Sequence, residues 1–287
     1  MPAQRDVKPL IVDRVTKRFG GVTAVNNLSL RVAPGELLAI VGPNGAGKST
    51  LFQLISGVIR PDGGQIWLGN TELTGKSPER IAALGVGRTF QTSRVFPGLT
   101  VWDSVRVGVH MELIGGGRFG RRVLPFYELA MALVPSRRYK KKLAELDAKA
   151  EAALRLFGDR LWPRRLDPAG SLSYANRRRL ELARALVSEP IVLLLDAPTA
   201  GMNPTETAEL AGIIAELHRT RPAMTIVLVE HKLEVVRDLA GRVVVMEYGS
   251  IIAEGSPSEA LADPRVVEAY LGRSRRANGK VEPVYAS

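Results

Sequence analysis

Cysteine is absent from the 287 residues, which excludes a disulfide framework, a thiolate metal site and a catalytic thiol. Long apolar runs are absent too. Stretches such as Ile191–Leu195 and Val243–Met246 are strand-sized and fall well short of the roughly 18 residues of a spanning helix, so the chain is not expected to cross a bilayer by itself. The opening segment MPAQRDVKPLIVDR mixes both charge signs and lacks an apolar core, so no secretion signal is expected. There is no internal repeat. A composition of 45% hydrophobic and 24% charged residues is that of a globular chain of one or two domains, not of a disordered, collagen-like or rod-like one.

Positive charge is present in excess and unevenly spread. The net charge is +11, from 40 Lys and Arg against 29 Asp and Glu. Residues 113–180 alone hold 16 basic and 6 acidic residues, clustered at Arg118, Arg121, Arg122, Arg137–Lys142, Arg164, Arg165 and Arg177–Arg179. Three readings are open at this point: a solvated helical face, a nucleic-acid surface and a face turned to anionic lipid.

Residues 8–68 read as short β segments, at Leu10–Arg18, Leu28–Val32, Glu36–Val41 and Gln65–Leu68, separated by Gly- and Pro-containing turns. From Ala82 to about Val187 the pattern predicts helix. In Leu143–Phe157 it places Leu143, Leu146, Ala150, Leu154 and Phe157 on one face. Beyond it, apolar strands at Ile191–Asp196, Thr225–Val229 and Arg242–Glu247 alternate with helix at Pro204–His218, the signature of a parallel sheet covered on both faces. Residues 273–287 are expected to form a disordered basic tail.

Gly42-Pro43-Asn44-Gly45-Ala46-Gly47-Lys48-Ser49 fits the phosphate-loop pattern G-x-x-x-x-G-K-[ST], between an apolar strand and a helical run that starts with Thr50. Glycines let the loop curl with its N–H groups inward, and the helix that follows adds a positive dipole end. In such a loop Lys48 reaches the β- and γ-phosphates and the Ser49 hydroxyl ligates Mg²⁺. Asp196, closing its strand at the C-terminal sheet edge, is the candidate carboxylate for the same ion.

With these motifs the chain resembles the nucleotide-binding subunits of ABC transporters over about residues 8–272. The resemblance implies an α/β P-loop NTPase fold, with a mixed or parallel core sheet, an N-terminal antiparallel β subdomain and a helical subdomain inserted at about 92–187 in one cassette of 1–272. It places Phe19 where an aromatic stacks on adenine, and Gln91 in a glutamine loop that reaches Mg²⁺ and the attacking water. Leu172-Ser173-Tyr174-Ala175-Asn176 occupies the signature position, Ala200-Gly201-Met202-Asn203-Pro204 the loop that crosses to a partner, and His231 the switch that contacts the γ-phosphate. It further implies ATP and Mg²⁺ as ligands, a second cassette (homo- or heterodimeric), separate transmembrane permease subunits, an extracytoplasmic solute-binding protein and a place at the cytoplasmic face of the membrane. Nucleic acid is not among the implied partners. The stretch RTFQTSRVF, the helical insert and the closing EGSPSEALADPRVVEAYLG are similar to ATPases that import branched-chain amino acids and related small amides or acids. Lipid or lipopolysaccharide exporter ATPases, and soluble relatives acting on ribosomes or nucleic acid, are the rival readings.

The sequence departs from that family at two places. Ala197 stands where a glutamate acts as general base, and alanine accepts no proton, so binding is expected with hydrolysis slowed by about 10²–10⁴-fold. Two origins are open: a substitution made to trap the ATP-bound state, or a natural half-site whose partner hydrolyses. In the signature, Ala175 replaces a glycine and Asn176 a glutamine; an added Cβ is expected to weaken the contact to the nucleotide opposite.

Overall fold

The computed structural model describes residues 8–89, 95–109 and 137–270. The chain divides into two compact units, one joining the first 88 residues to residues 191 onward, the other spanning 89–190.

The first unit holds two sheets. Strands β1 (Leu10–Phe19), β2 (Val22–Val32), β4 (Gly63–Leu68) and β5 (Thr71–Glu72) form an antiparallel sheet in the order β2-β1-β4-β5. Strands β3 (Leu37–Val41), β6 (Val86–Arg88), β7 (Val192–Asp196), β8 (Thr225–Val229), β9 (Arg242–Glu247) and β10 (Ser250–Gly255) form the second, in the order β10-β9-β3-β8-β7-β6. All its pairings are parallel except β9 with β10. Every residue of β3, β7 and β8 is buried, as their unbroken apolar sequences demand of strands covered on both faces. Each fully buried Leu or Val side chain contributes about 1.5–3 kcal/mol. Helix α1 (Lys48–Ile55) sends Leu51, Phe52 and Ile55 into a core shared with Val12, Leu30 and Ile66 of one sheet and Ile40, Leu194 and Val227 of the other.

This unit's remaining helices are α2 (Pro78–Ala83), α7 (Pro204–Thr220), α8 (Leu233–Leu239) and α9 (Pro257–Ala262), with a last helical stretch over 264–270. Helices α7 and α9 open with proline in the first turn and a reciprocal capping box, Asn203 with Glu206 and Ser256 with Glu259. The second unit contains α3 (Val101–Arg106), α4 (Arg137–Arg155), α5 (Gly158–Leu161) and α6 (Tyr174–Leu186). Leu146, Ala150, Leu154 and Phe157 are buried, as the periodicity of that segment predicts, while Leu143 is half-buried. Among the described residues no helix is long and apolar enough to cross a membrane.

Two parts of the sheet depart from the sequence expectation. The helical pattern from Ala82 stops at Ala83; Gly85, at φ +98°, turns the chain into β6, whose three residues are too few to show a period. Strand β2 starts six residues earlier than the predicted Leu28, because Asn27 takes a left-handed φ of +44° and carries the strand across a register irregularity. The tail expected at 273–287 lies outside the described residues, as does Gln91.

Candidate functional site

The parallel strands deliver the motif residues to one edge of the sheet. Ile40 pairs with Val229, and Val229 with Asp196, so the C-terminal ends of β3, β8 and β7 stand abreast. Beyond those ends follow the phosphate loop, Glu230-His231 and Ala197. Strand β6 ends at the same edge, with Arg88 level with Leu194.

The phosphate loop is held by its surroundings. A Cβ on Gly42 (φ +142°) would lie 2.1 Å from the Met246 carbonyl oxygen, and one on Gly47 (φ +102°) 2.2 Å from that of Ala24, so neither position admits a side chain. The Gly249 N–H donates to the Ala46 carbonyl at 3.0 Å, bracing the loop against the β9–β10 turn. Gly45 has open space, and both Asn44 and Gly45 are exposed. Lys48 is buried, 5% exposed, and its Nζ donates to the carbonyls of Gly42 (2.6 Å) and Pro43 (3.0 Å) inside the curl. Helix α1 has no acidic residue in its first turn, so the partial positive charge of its N-terminus beside Ser49 and Thr50 is not offset there.

Asp196 is buried, and its Oδ2 accepts from Arg88 Nη2 at 3.3 Å. Arg88 Nη1 donates to Ser56 Oγ at 2.8 Å, and Ser56 Oγ itself donates to the Phe52 carbonyl, so one guanidinium ties the carboxylate of β7 to the far end of α1. Ala197 is 1% exposed at φ +47°, its N–H bonded to the Val229 carbonyl at 2.8 Å. The loop after it folds as two successive turns, closed by Ala200 N–H to the Ala197 carbonyl and Met202 N–H to the Thr199 carbonyl.

Glu230 is 1% exposed. Its Oε1 accepts from Thr199 N–H (3.0 Å) and Thr199 Oγ1 (2.6 Å), its Oε2 from the N–H groups of His231 (2.8 Å) and Lys232 (3.4 Å). Partial desolvation and the nearby Lys48 charge lower the His231 pKa below the usual imidazole value, against the opposing pull of Glu230 and Asp196. His231, Lys48 and Asp196 therefore feel one another across the sheet edge.

Phe19 stands at the tip of the β1–β2 hairpin, half exposed and not a core aromatic. Lys17 Nζ lies 5.5 Å from its ring centroid, and Asp62 fixes the hairpin by accepting from Lys17 Nζ (2.8 Å) and Arg18 N–H (2.6 Å).

In the second unit, Ser173 is the N-cap of α6, its Oγ accepting from Asn176 N–H at 3.3 Å. Ser173 and Tyr174 are exposed, but Ala175 is 3% exposed. The Ala175 methyl is buried within its own unit, so it is not part of the exposed face that Ser173 and Tyr174 form.

The structure thus brings Gly42, Pro43, Asn44, Gly45, Ala46, Gly47, Lys48, Ser49, Thr50, Asp196, Ala197 and His231 to one sheet edge, whereas Ser173 and Ala175 belong to the other unit. Sequence reasoning missed Arg88, Glu230 and Lys232. The available signal was a charged residue directly after an apolar strand, which buries a carboxylate only where donors meet it.

The ABC transporter family profile matches residues 25–200, and a profile described as "Branched-chain amino acid ATP-binding cassette transporter" matches residues 250–275. The chain is 37% identical over 268 residues to the high-affinity branched-chain amino acid transport ATP-binding protein LivG of Escherichia coli, covering 93% of this chain and 99% of LivG. It is 36% identical over 270 residues to BraF of Pseudomonas aeruginosa, a protein of the same description, again covering 93% and 99%. The crystal structure of a nucleotide-free ATP-binding cassette from an ABC transporter superposes with a TM-score of 0.74 at 30% identity, covering 92% of this chain and 98% of that one. Strand order, phosphate loop and relatedness along nearly the whole length agree: the chain belongs to the ABC transporter family of ATP-binding cassette ATPases.

Proposed function

We propose that the chain is the ATP-binding subunit of an importer for branched-chain amino acids or related small amides and acids. It works as one of two paired cassettes beneath separate permease subunits at the cytoplasmic face of the membrane, fed by an extracytoplasmic solute-binding protein. The carrying observation is the match of the closing segment 250–275 to the branched-chain cassette profile, joined to relatives of that description aligned over 93% of the chain. We take 1–272 as one cassette with its helical part at about 92–187 and a basic tail at 273–287.

The donors at this sheet edge suit Mg·ATP. A buried ammonium inside a loop of inward-curled backbone is a phosphate site, and a hydroxyl (Ser49) plus a carboxylate (Asp196) are the hard oxygen donors of an ion that shares its shell with phosphate oxygens. Mg²⁺ held there would neutralise phosphate charge. Lys48 would exchange its two carbonyl contacts for the β- and γ-phosphates, Phe19 offers its exposed ring to the adenine, Gln91 is assigned to the ion and the attacking water, and His231 to the γ-phosphate. Ser173, capping α6, offers hydroxyl and helix N-terminus to the nucleotide held by the partner cassette.

Ala197 supplies no acceptor for the proton of the attacking water, so the chain holds Mg·ATP and turns it over slowly; a partner cassette that carries the glutamate supplies the faster site. A partner that carries the same alanine leaves both sites slow. Purification from membranes with associated proteins tests the assignment. A permease and a second cassette are expected to co-purify, and a branched-chain amino acid with its binding protein is expected to stimulate ATPase activity of the complex bearing Ala197→Glu. Stimulation by lipid instead contradicts the importer reading.

A further inference from the structure

We propose that Glu230 and Lys232 are positioning residues that lock the switch segment around His231 to the loop after β7, so that the two respond to nucleotide as one body. The inference rests on the reading of His231 as the contact to the γ-phosphate.

Two staples flank His231 in sequence, and both end on the same loop. On one side the Glu230 carboxylate is shared: Oε1 takes both donors of Thr199, at 3.0 and 2.6 Å, and Oε2 takes the His231 and Lys232 amides, at 2.8 and 3.4 Å. On the other side Lys232 Nζ donates to the Met202 carbonyl at 3.0 Å and to Thr207 Oγ1, in the first turn of α7, at 2.6 Å. Residues 199–207 are therefore gripped at both ends, while the turns within, closed at Ala200 and Met202, leave the loop little freedom of its own. The grip is strong for its size. Hydrogen bonds to charged groups are about twice as strong as neutral ones, and Glu230 and Thr199 are excluded from water, at 1% and 0% exposure.

His231 itself makes none of these side-chain bonds; its backbone is held and its ring stands exposed. A rigidly mounted ring at the sheet edge beside Lys48 and Asp196 transmits what it meets through its mount. The mount is the loop that carries Gly201 and Met202 toward α7. Ala197 removes a proton acceptor from this region but none of the staples, so the chain retains the linkage while lacking the base.

Hydrogen exchange of the full chain, with and without Mg·ATP, tests this without a partner. In the wild type, Mg·ATP is expected to slow exchange of peptides covering 42–50, 229–233 and 199–207. In Lys232→Met, and in Thr199→Val where the Glu230 side trades one donor for a methyl, protection at 199–207 is expected to fall at least fivefold while that at 42–50 and 229–233 stays within twofold. Lys232→Met combined with Thr199→Val, which leaves the Thr199 N–H bond to Glu230 in place, should lower it further than either change alone. Thr207→Val, which removes one of the two acceptors of Lys232 and leaves the Met202 carbonyl, is the milder variant should Lys232→Met fold poorly, and should show the same loss in smaller degree. Unchanged protection at 199–207 in the double variant overturns the proposal, as does a wild type in which 229–233 is protected and 199–207 is not. No protection at 42–50 in the wild type refutes the nucleotide site, and the linkage with it.

Discussion

The loop after β3 and the loop after β7 lie at the same sheet edge, two strands apart, and differ in what they retain. The first keeps groups suited to phosphate: two glycines that admit no Cβ, a buried ammonium and a helix whose first turn holds no acidic residue. The second keeps the carboxylate, held by Arg88, and a tightly bonded backbone, but places a methyl at 197. Under the proposed function, nucleotide binding and the proton transfer of hydrolysis fall to these two separate loops, so that one is expected to be lost with the other intact.

The largest effect is expected at the phosphate loop. Gly47→Val sets a side chain against the Ala24 carbonyl, 2.2 Å from where its Cβ would lie, and calorimetry with Mg·ATP should detect no binding. On the second side Ala197→Glu should raise ATPase activity by about 10²–10⁴-fold, measured as phosphate release with the partner cassette present. Arg88→Met leaves the Asp196 carboxylate buried without that partner, and denaturant melts should show a loss of about 3–5 kcal/mol.

A smaller effect sharpens the comparison in the other unit. Ala175→Gly should cost stability by about 0.5–1 kcal/mol, because glycine weakens a helix, while ATP-dependent pairing stays as it was, since the methyl is buried and off the exposed face. The smallest effect concerns His231. Its pKa in the fold is lowered from 6.5, so the unfolded chain takes up the proton more readily, and stability is full above that value and declines as pH falls below it. Melting temperatures between pH 7.5 and 5 should decline more for the wild type than for His231→Asn.

Much of this was legible in the sequence for a physical reason: a phosphate loop announces itself by spacing, and fully buried parallel strands by uninterrupted apolar runs. Thr225–Val229 and Arg242–Glu247 match the observed strands residue for residue. What stayed hidden depends on partners remote in the chain. Arg88 meets Asp196 across 108 residues, Glu230 meets Thr199 across 31 and Lys232 meets Met202 across 30, and no local pattern encodes such pairings. Phe19 stands outside the core because it ends β1 at the Gly20-Gly21 turn. The burial of Ala175 was hidden as well, because side-chain direction at a helix start follows from packing, not from residue identity.

The identity of the recovered nucleotide separates binding from turnover. Loaded with Mg·ATP, freed of excess and denatured after increasing times, the chain as given should yield ATP at times when the Ala197→Glu form, assembled with the same partner cassette, already yields ADP. Recovery of ADP from the wild type as fast as from that form would contradict the separation of binding from chemistry.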